Sequence, residues 1–445
     1  MASQIHHWKK LHGFLAAILV ASSMLAFFWI SEGNWKSPLK RSIVPKSKRP
    51  HTGNYAVSTT SSDRNGNFNH DSAIRIPDWI QGYKIWHKRQ RRRYDKEGAT
   101  DVKFLVVACL KRTQCGGLSD RIRSIPYWLV LAEKTDRVLL IHWSKKFKLE
   151  DFWIPPRSDE LDWTLFERWK TRPPFINSCI LKPAKVLPEF HDESNHQGIM
   201  NSLQSSEGVV CVKTRADLTS IVYDSFGTTD INQIVVSNVF QSLFNPTETL
   251  QEYINTIKKE QIGLNANEQY LAAHIRALYP LKSESGLVFP TWQEHSEMIK
   301  RWAHKAVESV IGAYKKTQNS QANASLPPVY VASDSADVVD YLLSSNASWP
   351  TRLLGLKKSL PRHHLELDTA NNSAYDMFPL FFDISMLSHA KCLSFGIGSY
   401  GKLGARLSGL ECITQHRKSL HFKDYSPDAN IEAKGHTVEL LEDDG

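Results

Sequence analysis

Beyond residue 100 the chain alternates between apolar runs and polar breaks marked by glycine. Lys103-Phe-Leu-Val-Val-Ala-Cys-Leu110 is apolar almost throughout, as a strand covered on both faces should be. The glycine turn Cys115-Gly-Gly-Leu-Ser-Asp-Arg121 follows it. Ile122 to Lys134 then carries apolar residues at helical spacing (Ile122, Ile125, Trp128, Leu129, Ala132), and Arg137-Val-Leu-Leu-Ile-His142 reads as a second buried strand. Strand, turn, helix and strand make one βαβ unit.

A second series opens at Tyr270 with a strand ending in His274-Ile-Arg276. The pattern predicts a helix over Thr291 to Tyr314, the strand Val329 to Ser333, a helix over Ala336 to Leu343 and the strand Arg352 to Leu356. It continues with a helix over Tyr375 to Ser388, the strand Cys392 to Phe395, and a helix over Leu403 to Leu407. The middle, from Asp151 to about Asn265, is broken by prolines and reads as the rest of the first half with insertions. The expected class is α/β, with two Rossmann-like domains facing a crevice.

Before residue 100 the pattern changes. Gly13 to Ile30 is an uncharged apolar run covering about 27 Å as a helix, enough to cross a thin bilayer. The expected organisation is a cytoplasmic tail (1–12), a transmembrane signal anchor (13–30), a disordered stem (31–100), an amino-terminal α/β domain (101–265), a carboxy-terminal Rossmann-like domain (266–425) and an acidic tail (426–445). A cleaved signal peptide is the alternative for 13–30. Lys36, Lys40, Arg41, Lys46, Lys48 and Arg49 after the run favour the opposite topology under the positive-inside rule. Three Asn-x-Ser triplets, at Asn323, Asn346 and Asn371, favour a lumenal body. The stretch Lys88-Arg-Gln-Arg-Arg-Arg93 suits a solvated charge run better than a protease site or a lipid-facing patch.

The 55 Lys and Arg against 46 Asp and Glu give a net charge of +9, with much of the excess crowded into the first hundred residues. No zinc spacing, RNA-binding signature or helix-turn-helix pattern accompanies it, so nucleic acid is not an expected partner. All six cysteines follow the apolar run and fit an oxidising compartment with up to three bridges, the pairing left open; buried free thiols are the alternative for Cys109 and Cys392.

The candidate chemistry sits at strand ends. A nucleoside diphosphate is strongly negative, and an arginine at a strand end can bind it in bidentate fashion without a metal. Arg276 is placed for this. His274 shares its side by strand alternation; it orients the arginine, contacts phosphate, or is simply a buried, satisfied histidine. Ser333 and Asp334 precede a helix start, where ligand groups are received, although Asp334 also suits a helix cap. The turn Ser394-Phe-Gly-Ile-Gly-Ser-Tyr-Gly401, with Ser394, Gly398 and Ser399, offers hydroxyls and a helix amino terminus to phosphate. In the first half, Gly116 and Gly117 permit close backbone approach beside Arg121 and Arg123. Asp120 is the nominated general base, with helix capping as its alternative. Trp143, Trp153 and Trp163 suit either sugar stacking or the core.

These segments resemble a known superfamily. Cys115 to Arg121 with the following helix and strand is similar to the Gly-x-Gly-Asn/Asp-Arg start of fucosyltransferases. His274-Ile-Arg276, Ala332-Ser-Asp334 and Asp376 to Gly401 resemble the carboxy-terminal motifs of the α1,2-, α1,6- and protein-O-fucosyltransferases, over roughly residues 103 to 412. The resemblance implies a GT-B fold, GDP-fucose as donor, inversion at the sugar carbon, and no metal or other cofactor. It gives Arg276 the donor diphosphate, Asp334 and the Ser394 to Ser399 turn the GDP, and the glycine turn the donor sugar. Many members carry His-x-Arg-Arg-x-Asp, whereas here Ala277, Leu278 and Tyr279 follow Arg276.

The expected activity is therefore fucosyl transfer to a glycan or glycoprotein in the Golgi or endoplasmic reticulum membrane, the protein being single-pass and the catalytic part lumenal. The alternative is a catalytically inactive, membrane-anchored glycan-binding or scaffolding relative. A sulfotransferase would need an early Gly-x-x-Lys-x-Gly-Thr phosphate loop, and the chain has none.

Overall fold

The computed structural model describes residues 78–110, 115–156, 161–180, 196–214, 236–265, 267–279, 281–283, 286–288, 290–318, 325–345, 349–356, 373–409 and 412–418. The apolar run 13–30, the chain up to residue 77, the asparagines of all three glycosylation triplets and the acidic tail lie outside them. Among the described residues no helix is long and apolar enough to cross a membrane.

In chain order the first half comprises α1 (Asp78–Glu97), β1 (Phe104–Cys109), α2 (Leu118–Ile122), α3 (Ile125–Lys134), β2 (Val138–Trp143), β3 (Trp153–Ile154), α4 (Glu167–Lys170), α5 (His196–Gln204), β4 (Val209–Lys213), α6 (Val236–Leu243), β5 (Asn245–Pro246) and α7 (Glu248–Thr256). The second comprises β6 (Leu271–Ile275), β7 (Leu281–Ser283), β8 (Gly286–Val288), α8 (Trp292–Thr317), β9 (Val329–Ser333), α9 (Ala336–Ser344), β10 (Leu353–Gly355), α10 (Phe378–Ser388), β11 (Leu393–Phe395), α11 (Ser399–Ser408) and β12 (Ile413–Gln415).

Two parallel sheets result, in the orders β2-β1-β4 and β10-β9-β6-β11-β12. Their strands are apolar along their length because both faces are covered. Leu105, Val107 and Cys109 of β1 enter one core, while Phe104, Val106 and Ala108 enter another. In the second sheet Leu271, Ala273 and Ile275 of β6 pack with Ile299, Ala303, Val307 and Val310 of α8. Ala272 and Tyr330 face the other way, toward the core that contains Phe382 and Ile384 of α10. The halves meet where α2 and α6 pack on α11, Ser237 Oγ donates to the Leu407 carbonyl at 2.9 Å, and Phe152 stacks on Phe381 at 3.8 Å.

Helix α1 is a departure from the expected stem over 31–100. Ile80, Tyr83, His87, Arg91 and Tyr94 form one buried face. Tyr83 Oη donates to the Arg137 carbonyl at 2.8 Å, and His87 Nε2 to the Leu139 carbonyl at 2.9 Å, which fixes the helix on β2. Arg91, inside the basic run, donates to the Thr164 carbonyl at 2.7 Å and pairs with Asp162 at 2.8 Å over the Phe166 and Trp169 rings. Burial pulls its guanidinium down to about 10. The ordered body thus begins at least as early as residue 78, and the basic run is in part a docking face rather than wholly solvated.

All six cysteines are paired, as Cys109–Cys115, Cys179–Cys211 and Cys392–Cys412. Cys109 and Cys392 are therefore bridged, not free. Trp143, Trp153 and Trp163 are core residues, each 5 % exposed or less, which removes them as sugar platforms.

Candidate active site

Arg276 follows β6, the central strand of the second sheet, whose neighbours are β9 and β11. Parallel strands deliver their carboxyl ends to one edge, so Arg276, Asp334 and the turn 396–398 emerge side by side. Arg276 Nε lies 3.3 Å from Asp334 Oδ2. The aliphatic stem of the arginine runs beside Gly398, where a Cβ would stand 3.6 Å from Arg276 Cγ. Its guanidinium also lies 5.6 Å from the Tyr279 ring centroid.

Asp334 does not cap the next helix. Ser335 is the N-cap of α9 and makes no side-chain cap bond. The carboxylate instead accepts the Ala277 amide at 2.7 Å and the Leu278 amide at 3.2 Å, holding the chain that leaves Arg276. Ser333 is buried and donates to the Ile275 carbonyl at 2.8 Å, stitching β9 to β6.

Gly398, the N-cap of α11, has φ +87°, a conformation that disfavours any side chain. Ser399 begins the helix and is exposed. The amide-rich end of a ten-residue helix therefore opens beside Arg276, an arrangement suited to an anion. Ser394 lies beneath this surface, fully buried, and its hydroxyl is hydrogen-bonded to His416 Nδ1 at 2.8 Å.

His274 is 3 % exposed, and its ring packs on Tyr400 at 5.4 Å and on Gly401. Burial, and secondarily the charge of Arg276, pull its pKa down to about 3, so it is neutral. It supports the arginine's strand from beneath. Its Nδ1 has no hydrogen-bond partner among the described residues.

The glycine turn of the first half follows β1 and is closed by Cys109–Cys115. Thr214 Oγ1 donates to the Cys115 carbonyl at 2.9 Å. Gly116, at φ +70°, could carry no side chain, since a Cβ would stand 2.6 Å from Asp120. Asp120 Oδ2 accepts the Gly117 amide at 3.0 Å, and the other oxygen lies 3.8 Å from Arg123. The carboxylate thus plays the capping role in this conformation. Arg121 is fully buried, donates to the Gly116 carbonyl at 3.1 Å and lies over Trp143 and Phe147. It shapes the turn and is enclosed against these two rings.

Because α2 packs on α11, the glycine turn and the Gly398 turn border the same junction between the halves. Sequence reasoning missed His416 and Arg417 at the end of β12. Among the described residues no group of three or more His, Cys, Asp or Glu is placed to hold a metal ion.

No family model matches the sequence, and no curated protein matches it. Fucosyltransferases are among the solved structures to which the chain is similar. A mutant of Arabidopsis thaliana FUT1 in complex with GDP is 15 % identical at a TM-score of 0.46, covering 75 % of this chain and 77 % of that one. Fucosyltransferase NodZ from Bradyrhizobium is 14 % identical at 0.38, covering 69 % and 92 %. NodZ alpha-1,6-fucosyltransferase co-crystallized with GDP gives 15 % and 0.38, covering 69 % and 93 %. Likenesses this distant leave the functional reading to the residues of the site.

Proposed function

We propose that the chain is an inverting, GDP-fucose-dependent fucosyltransferase acting on a hydroxyl of a glycan or glycoprotein. The observation that carries this reading is the Arg276 guanidinium, held at the end of the central strand between Asp334 and the amino terminus of α11. The acceptor oxygen attacks the anomeric carbon as the bond from that carbon to the phosphate oxygen breaks. The electron pair leaves with GDP, and Arg276 with the α11 amides meets the charge gathering on the diphosphate. The acceptor proton passes to Asp120, directly or through water, once the carboxylate is released from the Gly117 amide. The leaving-group charge is assigned to these groups rather than to a metal ion.

The three disulfides support an oxidising compartment. With the apolar run 13–30 they support the proposed place of work, the lumenal side of a Golgi or endoplasmic reticulum membrane. A second reading, a nucleotide- or glycan-binding relative without turnover, draws on Asp120 being occupied as a cap and on Ala277 standing after Arg276. Transfer of labelled fucose from GDP-fucose to an acceptor array, run in chelator, separates them. Transfer supports the enzyme; GDP binding with no transfer to any acceptor class supports the binding relative.

A further inference from the structure

We infer that His416 and Arg417, just past edge strand β12, are positioning residues that lock the Gly396–Gly398 turn and the backbone of Arg276 in register with each other. This rests on the reading of that turn and arginine as the diphosphate site. Strand β12 is three half-buried residues long and adds little to the core by itself. It is nevertheless tied at both ends, by the Cys392–Cys412 bridge and by the His416 amide donating to the Phe395 carbonyl at 3.0 Å.

The His416 ring is 5 % exposed, bonded to Ser394 Oγ at 2.8 Å, and its Nε2 stands 3.0 Å from where a Cβ on Gly396 would be. It therefore forms the floor of the turn. Burial first of all, with the charge of Arg417 adding to it, pulls its pKa down to about 3, so it stays neutral.

Arg417 is 4 % exposed and reaches past β11 to the central strand, donating from a terminal guanidinium nitrogen to the Arg276 carbonyl at 2.9 Å. Its guanidinium carbon lies 3.4 Å from the Trp302 ring centroid on α8. A charged donor on this carbonyl fixes the peptide from which the Arg276 side chain departs. Burying an arginine and a histidine to fill space is costlier than burying apolar residues of similar volume. His416 bonds to Ser394 and Arg417 to the Arg276 carbonyl, so their effect on the diphosphate site runs through those two groups.

The test is calorimetric titration of the full-length chain with GDP. Arg417→Ala and His416→Ala should each weaken binding about tenfold, with Arg417→Lys recovering part of the loss. Ser394→Ala should weaken binding too, and should add nothing to His416→Ala. Val310→Ala, in the α8 core of the same half, supplies a control matched in melting temperature and should leave GDP affinity within about twofold. Wild-type binding with unchanged affinity in these variants, or a loss no greater than in Val310→Ala, overturns the inference while leaving the diphosphate site standing. Should the alanine variants not fold, Arg417→Lys and Ser394→Ala decide it by the same comparison. No GDP binding by the wild type overturns the proposed function, and this inference with it.

Discussion

Arg276 and Asp334 form an ion pair of 3.3 Å between neighbouring parallel strands, and the same carboxylate takes the Ala277 amide at 2.7 Å. One side chain thus aims the guanidinium and fixes the loop behind it. Asp334→Ala removes both functions and should lower kcat/KM for GDP-fucose by about a hundredfold. Asp334→Asn keeps an acceptor for the Ala277 amide and should lower it only about tenfold. Initial-rate kinetics checks the order; equal losses would mean the amide contact contributes nothing.

Gly401 lies where a Cβ would stand 2.5 Å from His274 Nδ1 and 2.9 Å from Phe395 Cβ. Neither neighbour can retreat easily, because the histidine ring is buried and Phe395 belongs to β11. Gly401→Ala should destabilise the fold by about 1–3 kcal/mol, read from urea unfolding. Gly312→Ala, where a Cβ meets nothing within 4 Å, is the control and should be neutral or slightly stabilising.

Arg91 tests whether α1 belongs to the folded body. Its ion pair with Asp162 is largely buried on the arginine side and lies over two aromatic rings. Arg91→Ala leaves Asp162 without its partner guanidinium and removes the stacking, and should cost about 3 kcal/mol. A chain beginning at residue 78 should keep a cooperative unfolding transition, and one beginning at residue 98 should lose it.

Among the described residues four histidines are buried in the neutral form: burial first of all pulls His87, His274 and His416 down to about 3, and His142 to about 4. Unfolding returns each to its ordinary value near 6.5, so below that pH the unfolded chain binds more protons than the folded one. Stability is fully present above about pH 6.5 and should fall as the pH drops toward 3. Melting temperatures measured across that range check the direction; a flat profile would contradict the buried neutral assignment.

The parts legible in the sequence share one property, an apolar strand running into a polar turn. Val329–Ser333 matches its expected bounds, and β1 and β2 differ by a residue or so because continuous apolar runs announce strands covered on both faces. Helix α1 was hidden because its inner face is written in Tyr, His and Arg, whose burial depends on partners in β2 and at Asp162 and Thr164. Strand β4 is only five residues inside an irregular stretch. Asp334 looked like a cap by its place before a helix, yet its partners are 56 and 57 residues upstream. His416 and Arg417 carry no local pattern at all; only the strand order β6-β11-β12 brings them to the site.

The central claim is that Arg276 binds the donor's diphosphate. Titration of GDP into wild type and Arg276→Ala by calorimetry tests it most directly. Loss of the charged hydrogen bonds should weaken binding by about a hundredfold while the melting temperature without ligand stays close to wild type. Equal GDP affinity in the two proteins would contradict the account.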